Sequence, residues 1–333
     1  MSDIINETTK LAGRFFIFGF EDTDINDRIR RFIEFDKITG LILFKRNIES
    51  TEGVKKLNEK IKKTASYPIL IGIDEEGGRV SRFENKDFST LPSMQYLAQN
   101  YSTAEARQMA KDLAIKLKDL GFNFNFAPVL DIFSNPDNEV IGDRAFGTDS
   151  DTVIKYSIPV MKGFQEGGVL TCGKHFPGHG DTLLDSHKAL PKLKNGLDIL
   201  RKREFLPFKE AINAGIDSIM TAHILFEELD VYPATFSKLF LNDLLRNELN
   251  FKNVIVSDDL DMNAVKNEYD IKDVLFKGIE AGVDLFIVSK NDAEMQQAVV
   301  ESTRQMISNG DISMDRMIES MQRIDRMIMK VAY

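Results

Sequence analysis

A (β/α)8 barrel is the fold class this sequence predicts, and three observations predict it. Short apolar runs recur eight times along the 333 residues, at 15–20, 40–44, 69–74, 122–128, 169–175, 218–223, 254–258 and 285–288. Each ends in polar or glycine residues, and segments of helical period fill the intervals between them. No low-complexity linker interrupts the alternation. The chain therefore reads as one TIM-barrel catalytic domain over residues 1–333, a usual size for that architecture.

The runs are nearly continuous in apolar residues rather than alternating, which suits parallel strands covered on both faces. Of the intervening helices, the clearest begins at Ser102-Thr103-Ala104-Glu105. In that capping-box pattern each side chain can satisfy the other end's free backbone N–H. Met109, Leu113 and Leu117 then fall on one face, and Gly121 offers a C-terminal stop. Further helices fit 26–37, 51–63, 151–165, 197–214, 238–250 and 271–281. A last helical stretch, 293–331, is broken near Asn309-Gly310-Asp311. The competing fold is a doubly wound open sheet, but the first strand is followed by Phe18-Gly19-Phe20-Glu21-Asp22 and not by a G-x-G-x-x-G turn.

Composition narrows the class of function. The apolar fraction of 43% is ordinary for a globular protein and predicts a full-sized core. A net charge of −9, with acids and bases interspersed, argues against a nucleic-acid partner. No run approaches the ~20 apolar residues of a membrane span, and residues 1–10 are polar with no apolar stretch behind them. The single cysteine, Cys172, lies inside an apolar run and reads as packing, as in a reducing compartment. A cytoplasmic location without membrane or nucleic-acid partners is the expectation.

In a barrel, catalytic residues sit at the C-terminal ends of strands and in the loops after them. Those positions hold Lys45 and Arg46, Asp74 with Glu75 and Glu76, Asp131, Lys174 and His175, His223, and Asp258 with Asp259. Four segments carry chemistry. In Asp74-Glu75-Glu76-Gly77-Gly78-Arg79-Val80-Ser81-Arg82, glycines permit close backbone approach and Asp74 can accept from neighbouring hydroxyls. The same segment also fits a tight turn with an internal Asp–Arg ion pair. In Gly142-Asp143-Arg144-Ala145-Phe146-Gly147, Arg144 is the one cation of a long aperiodic loop. It suits either a clamp on a polar ligand or a pin for its own loop.

The segment Lys174-His175-Phe176-Pro177-Gly178-His179-Gly180-Asp181-Thr182-Leu183-Leu184-Asp185-Ser186-His187 holds three of the four histidines. Lys174 and His175 end a strand, where successive side chains point to opposite faces unless the strand breaks. Asp185 and His187 are two apart, close enough for the carboxylate to hold the imidazole and raise its basicity for proton transfer. A structural hydrogen bond is the alternative. In Ser257-Asp258-Asp259-Leu260, Asp258 suits an inward-pointing nucleophile and Asp259 the cap of the following helix. His223 reads as a barrel-floor histidine with a satisfied hydrogen bond, or less simply as a proton shuttle.

At these residues the chain resembles the β-N-acetylhexosaminidases of glycoside hydrolase family 3. The likeness rests on K-H-F-P-G-H-G-x(4)-D-S-H, I-D-x-E-G-G-R-V-x-R-F, G-D-R-x-F-G and S-D-D-L, in order across residues ~40–262. It implies a (β/α)8 barrel that releases β-linked N-acetylglucosamine with retention of configuration. Asp258 would be the nucleophile, and His187 supported by Asp185 the general acid/base on a mobile loop. Asp74, Arg82, Arg144, Lys174 and His175 would bind the sugar. A His–Asp pair in place of a second carboxylate departs from the usual two-carboxylate scheme. Such a pair carries a proton at neutral pH without an apolar pocket to raise a carboxylate's pKa. Ala145 stands where the family often has serine, as does Asp261 after S-D-D-L.

The implied substrate is N-acetylglucosamine joined to anhydro-N-acetylmuramic acid, with or without peptide, in peptidoglycan recycling, and no cofactor or metal is implied. Two other readings stand beside this one. A phosphorylase of the same fold would let phosphate attack the intermediate. A metal-dependent hydrolase would take His175, His179, His223 and Asp258 as ligands, although no helix offers His at i and i+4.

Overall fold

The structure, a computed structural model, describes residues 11–83, 88–183 and 190–331. Eight parallel strands close into the expected barrel: β1 (Phe16–Phe18), β2 (Gly40–Leu43), β3 (Leu70–Ile73), β4 (Phe124–Asn125), β5 (Leu170–Phe176), β7 (Ser218–Thr221), β9 (Val254–Asp259) and β10 (Leu285–Val288). Two short strands, β6 (Lys192–Leu193) and β8 (Leu225–Phe226), pair with each other outside it. Closure comes from β10 pairing with β1, Phe16 opposite Phe286 and Phe18 opposite Val288. Each predicted apolar run coincides with one barrel strand, β5 and β9 running one residue further, because a strand lined by side chains inside and by helices outside must be apolar on both faces.

Phenylalanine fills much of this core; the chain has 24 of them and no tryptophan. Phe16 stacks on Phe18 at 5.5 Å, and Phe18 meets Phe32 edge-on at 4.8 Å, tying β1 to the helix Asp27–Glu34. The helix Thr103–Asp119 starts with the predicted capping box: Ser102 N–H donates to Glu105 Oε2 at 2.7 Å, and Glu105 N–H donates to Ser102 Oγ at 3.3 Å. It buries Ala106, Ala110, Leu113, Ala114 and Leu117, with Met109 at the edge of that face.

Two helices differ from the regular period expected of them. Residues 197–214 divide into Leu197–Ile199, a π turn Leu200–Glu204 and Phe205–Asn213, and Leu239–Glu248 is π-helical throughout. Apolar spacing does not distinguish a five-residue from a four-residue hydrogen-bond step over so short a span. The C-terminal stretch breaks where expected, Ala293–Asn309 ending on left-handed Gly310 before Met314–Ile328.

The N-terminal end of the barrel is closed by buried carboxylates. Asp284, just before β10, accepts from Arg246 Nη2 at 2.6 Å, Arg323 Nη1 at 3.0 Å and Ser320 Oγ at 2.6 Å. Asp217, before β7, accepts from Thr171 N–H at 3.0 Å and Lys330 Nζ at 2.6 Å. These contacts fasten the C-terminal helix beneath the barrel, the end of the fold where polar networks serve stability. Among the described residues no helix is long and apolar enough to cross a membrane.

Candidate active site

A cavity of about 740 Å³ opens at the C-terminal ends of the strands. Its lining includes Asp74 and Glu76 after β3, Lys174 and His175 at the end of β5, and Asp258 and Asp259 at the end of β9. Arg82, Arg144 and His179 enter from the loops. Arg82 lies seven positions after Glu75, and its N–H donates to Glu75 Oε2 at 2.9 Å. The loop after β3 thereby folds back over its own strand end. Glu75 is also held by Asn125 and Thr90, which makes it a brace beneath the pocket; burial pushes its pKa up.

Three cations and two carboxylates form one chain of contacts along the pocket wall. Arg82 Nη2 lies 2.9 Å from Asp74 Oδ2, and Asp74 Oδ1 lies 2.8 Å from Lys174 Nζ. Lys174 Nζ also lies 2.5 Å from Glu76 Oε1, and Glu76 takes both arms of the Arg144 fork at 2.8 and 2.9 Å. Burial alone would raise both carboxyls, but the cations outweigh it. Lys174 and Arg82 hold Asp74 well below the usual carboxylate range, and Arg144 and Lys174 hold Glu76 at about 2. Burial would lower Lys174, yet Asp74 and Glu76 raise it on balance. Asp74, Glu76, Lys174 and Arg144 thus stay ionised near neutrality. These fixed charges carry oriented donors and acceptors suited to a ligand rich in hydroxyls and amides.

Arg144 unites the two roles considered for it. Its fork fixes Glu76 in the pocket, while Nη1 donates to Val140 O at 3.1 Å in its own loop. Arg79 pins the same loop through the carbonyls of Glu139 at 2.8 Å and Val140 at 2.7 Å. The predicted internal ion pair of the glycine turn exists as Arg82–Asp74, and both partners line the cavity.

Opposite faces were expected for Lys174 and His175 unless the strand broke there, and both residues line the cavity. The β5–β7 register shifts between Gly173 and Phe176, so regular alternation does not apply there. His175 Nδ1 lies 2.7 Å from Asp131 Oδ2, and the His175 N–H also points at that carboxylate. The geometry assigns the proton to Nδ1. Asp131 is wholly buried; burial would raise its pKa, but His175 brings it below the ordinary value. His179 N–H donates to Asp131 Oδ1 at 2.7 Å, and its Nδ1 pairs with Thr182 Oγ1 at 2.9 Å. Burial and His175 lower the His179 pKa to about 4.

Asp258 projects into the cavity as expected of it, and its Oδ1 accepts from the Asp259 N–H at 2.8 Å. Asp259 is not the cap of the next helix. It accepts from Asp261 N–H at 3.1 Å, Ser289 N–H at 3.0 Å and Ser289 Oγ, clasping β9 to β10 where their register shifts. Burial pushes its pKa up to about 6. His223 is not on the barrel floor: it follows β7 at the same end as the cavity, contacting Thr235 Oγ1 at 3.0 Å and Asp259 O at 3.2 Å. It does not line the cavity, so it is not grouped with His175, His179 and Asp258 as a metal-binding set would be. Among the described residues no cluster of three His, Cys, Asp or Glu fits a metal ion.

Asp185 and His187 lie outside the described residues, while Leu183, two residues before Asp185, lines the cavity. Glu76 and Asp131 were read from the sequence as strand-end polar positions but were given no role there; Glu76 lines the cavity and Asp131 holds His175. The usable signal for Glu76 was its place at a strand end two residues from Asp74; its burial, which makes partners necessary, appears only in the fold. Cys172 is buried and free, its thiol pushed up to about 12 by burial, in keeping with packing.

A barrel whose strand ends bring a carboxylate and a wall of paired charges to one cavity has the form of a site for a polar, hydroxyl-rich ligand. The glycosyl hydrolase family 3 N-terminal domain matches residues 11–327. The chain belongs to glycoside hydrolase family 3, and it is a glycoside hydrolase. A β-hexosaminidase of Idiomarina loihiensis is 34% identical over 311 residues, which are 92% of this chain and 90% of the relative. The structure of a family 3 β-N-acetylglucosaminidase from a Paenibacillus species is 37% identical with a TM-score of 0.94. It matches 97% of this chain, which spans 62% of that longer protein. A β-N-acetylhexosaminidase from Beutenbergia cavernae is 25% identical with a TM-score of 0.88, matching 96% of this chain and 98% of its own.

Proposed function

We propose that this glycoside hydrolase is a retaining exo-β-N-acetylglucosaminidase, with residues 1–333 acting as one catalytic domain. The observation that carries the reading is Asp258: a strand-end carboxylate in the cavity, across from a wall that binds its own charges in ion pairs. Its carboxylate attacks the anomeric carbon and forms a glycosyl–enzyme ester as the aglycone oxygen leaves. His187, supported by Asp185, gives that oxygen its proton and then takes one from the attacking water. Asp74, Arg82, Arg144, Lys174 and His175 hold the hydroxyls and the N-acetyl group. The pinned donors of this wall need no reorganisation when the sugar distorts toward the transition state.

The substrate we favour is N-acetylglucosamine linked to anhydro-N-acetylmuramic acid, with or without a peptide, placing the enzyme in cytoplasmic peptidoglycan recycling. The resemblance of the motifs supports this choice. Neither a metal nor a cofactor takes part in the proposed steps.

Hydrolysis of 4-nitrophenyl β-N-acetylglucosaminide, followed by NMR of the first anomer formed, tests the reading. The β-anomer is expected, and first formation of the α-anomer would overturn retention. Asp258→Ala abolishes turnover, and a fluorinated sugar probe labels Asp258 in peptide maps; a label on any other residue would sink the assignment. Sugar 1-phosphate appearing in phosphate buffer would convert the hydrolase into a phosphorylase.

A further inference from the structure

A buried carboxylate that the proposed chemistry does not use stands directly behind the histidine wall. Glu204 is 2% exposed and ends the π turn Leu200–Glu204, in which Phe205 N–H reaches back to Leu200 O. Wide turns of this kind frequently mark functional positions. Glu204 Oε1 accepts from Arg203 Nε at 2.6 Å, while Oε2 has no hydrogen-bond partner among the described residues. That second oxygen lies flush against the backbone of Gly178: a side chain there would begin 2.7 Å from it. Gly178 has φ +134, a conformation that glycine adopts without penalty.

Arg203 extends the contact to the other end of the same turn. Its Nη2 lies 2.9 Å from Asp181 Oδ2, which also accepts from Asn195 Nδ2 at 2.7 Å. The turn is therefore held under Gly178 by Glu204 and at Asp181 by Arg203. Between those points lies His179, which donates its N–H to Asp131 and packs its ring edge-on against His175 at 5.7 Å. Gly178 N–H donates to His175 O at 2.8 Å. Any tilt of this turn must move both histidines.

We propose that Glu204 is a positioning residue for the proposed site: its carboxylate seats the Gly178–His179 turn and so orients the Asp131–His175 pair, whose histidine lines the cavity. The inference rests on the proposed function only in taking His175 as a substrate contact. Three charged groups face Glu204: Arg203 from its own turn, Asp181 from the loop after β5, and Asp131 from the loop after β4. Burial pushes Glu204 up to about 7; Arg203 opposes the rise while Asp131 and Asp181 add to it. Its charge therefore changes across the neutral range.

The chain has four histidines, so imidazole NMR can follow each through a pH titration. In Glu204→Gln, the His175 and His179 signals are expected to move while that of His223 stays. The inflection that Glu204 imposes on them near neutrality is expected to vanish. On 4-nitrophenyl β-N-acetylglucosaminide, kcat is expected to fall by about 10- to 100-fold with a smaller change in KM. Glu204→Asp, which keeps the charge, should recover part of that loss. Unchanged histidine signals and pH profile, with only a lower melting temperature, would make Glu204 a packing residue and overturn the inference. Failure of both variants to fold would do the same. If the wild type does not hydrolyse the substrate, the proposed function falls while the histidine titration still decides the role of Glu204.

Discussion

Every charged side chain of the pocket wall is held by a partner, and that pairing decides how each responds to substitution. Glu76 has the plainest dependence, since it is shared between Lys174 at 2.5 Å and the Arg144 fork. Its pKa in the fold is about 2 against an ordinary 4.5, so its contribution to stability is present above the ordinary value. That contribution is lost as pH falls through the range from 4.5 to about 2. Glu76→Gln is therefore expected to flatten the dependence of melting temperature on pH across that range. Parallel curves for the two proteins would refute the assignment. The two cations are then left with one acceptor fewer, and a rise in KM is expected alongside. Asp74, Lys174, His175 and Asp258 were legible at this scale because ionisable residues at the ends of apolar runs stand out, and Arg82 and Arg144 because they are cations in glycine-bearing loops. Glu204 was not. An acid inside a helical pattern shows its burial only when the chain is folded.

At the scale of the element, the strands were more legible than the helices. A strand of this barrel is apolar on both faces, so the eight runs are unbroken and short; β3 and β10 lie wholly inside runs expected for them. The π turns at Leu200–Glu204 and Leu239–Glu248 were invisible, since both retain the apolar face of an ordinary helix. The break before the last helix was legible through Gly310, which sits at φ +80 with open space beyond its α carbon. Gly310→Ala meets no neighbour and is strained by backbone conformation alone. It is expected to destabilise the fold by about 1–2 kcal/mol, measured by denaturant unfolding, with kcat unchanged. A loss of activity larger than the loss of stability would show that the last helix reports to the site.

For the whole molecule, the two ends of the barrel divide the labour. Polar groups at the C-terminal end face the cavity, whereas Asp284 and Asp217 at the other end bind the outer helices to the strands. Asp284→Ala leaves Arg246, Arg316 and Arg323 around an emptied acceptor, and Arg246 and Arg316 are themselves largely buried. A destabilisation of about 3–5 kcal/mol is expected, read as a lower midpoint in urea, with KM preserved below the transition. A raised KM in the folded variant would contradict this separation. The sequence by itself determined the order of strands and helices, and the set of strand ends at which chemistry is concentrated. Both depend on local apolar period and on short connections, which are properties of neighbouring residues. Only the tertiary structure decided that Lys174 stands between Asp74 and Glu76, that Asp131 holds His175, and that Glu204 lies under Gly178. Lys174 and Asp74 are 100 residues apart, and their contact exists because β3 and β5 pair in parallel on either side of β4, which brings their C-terminal ends to one rim.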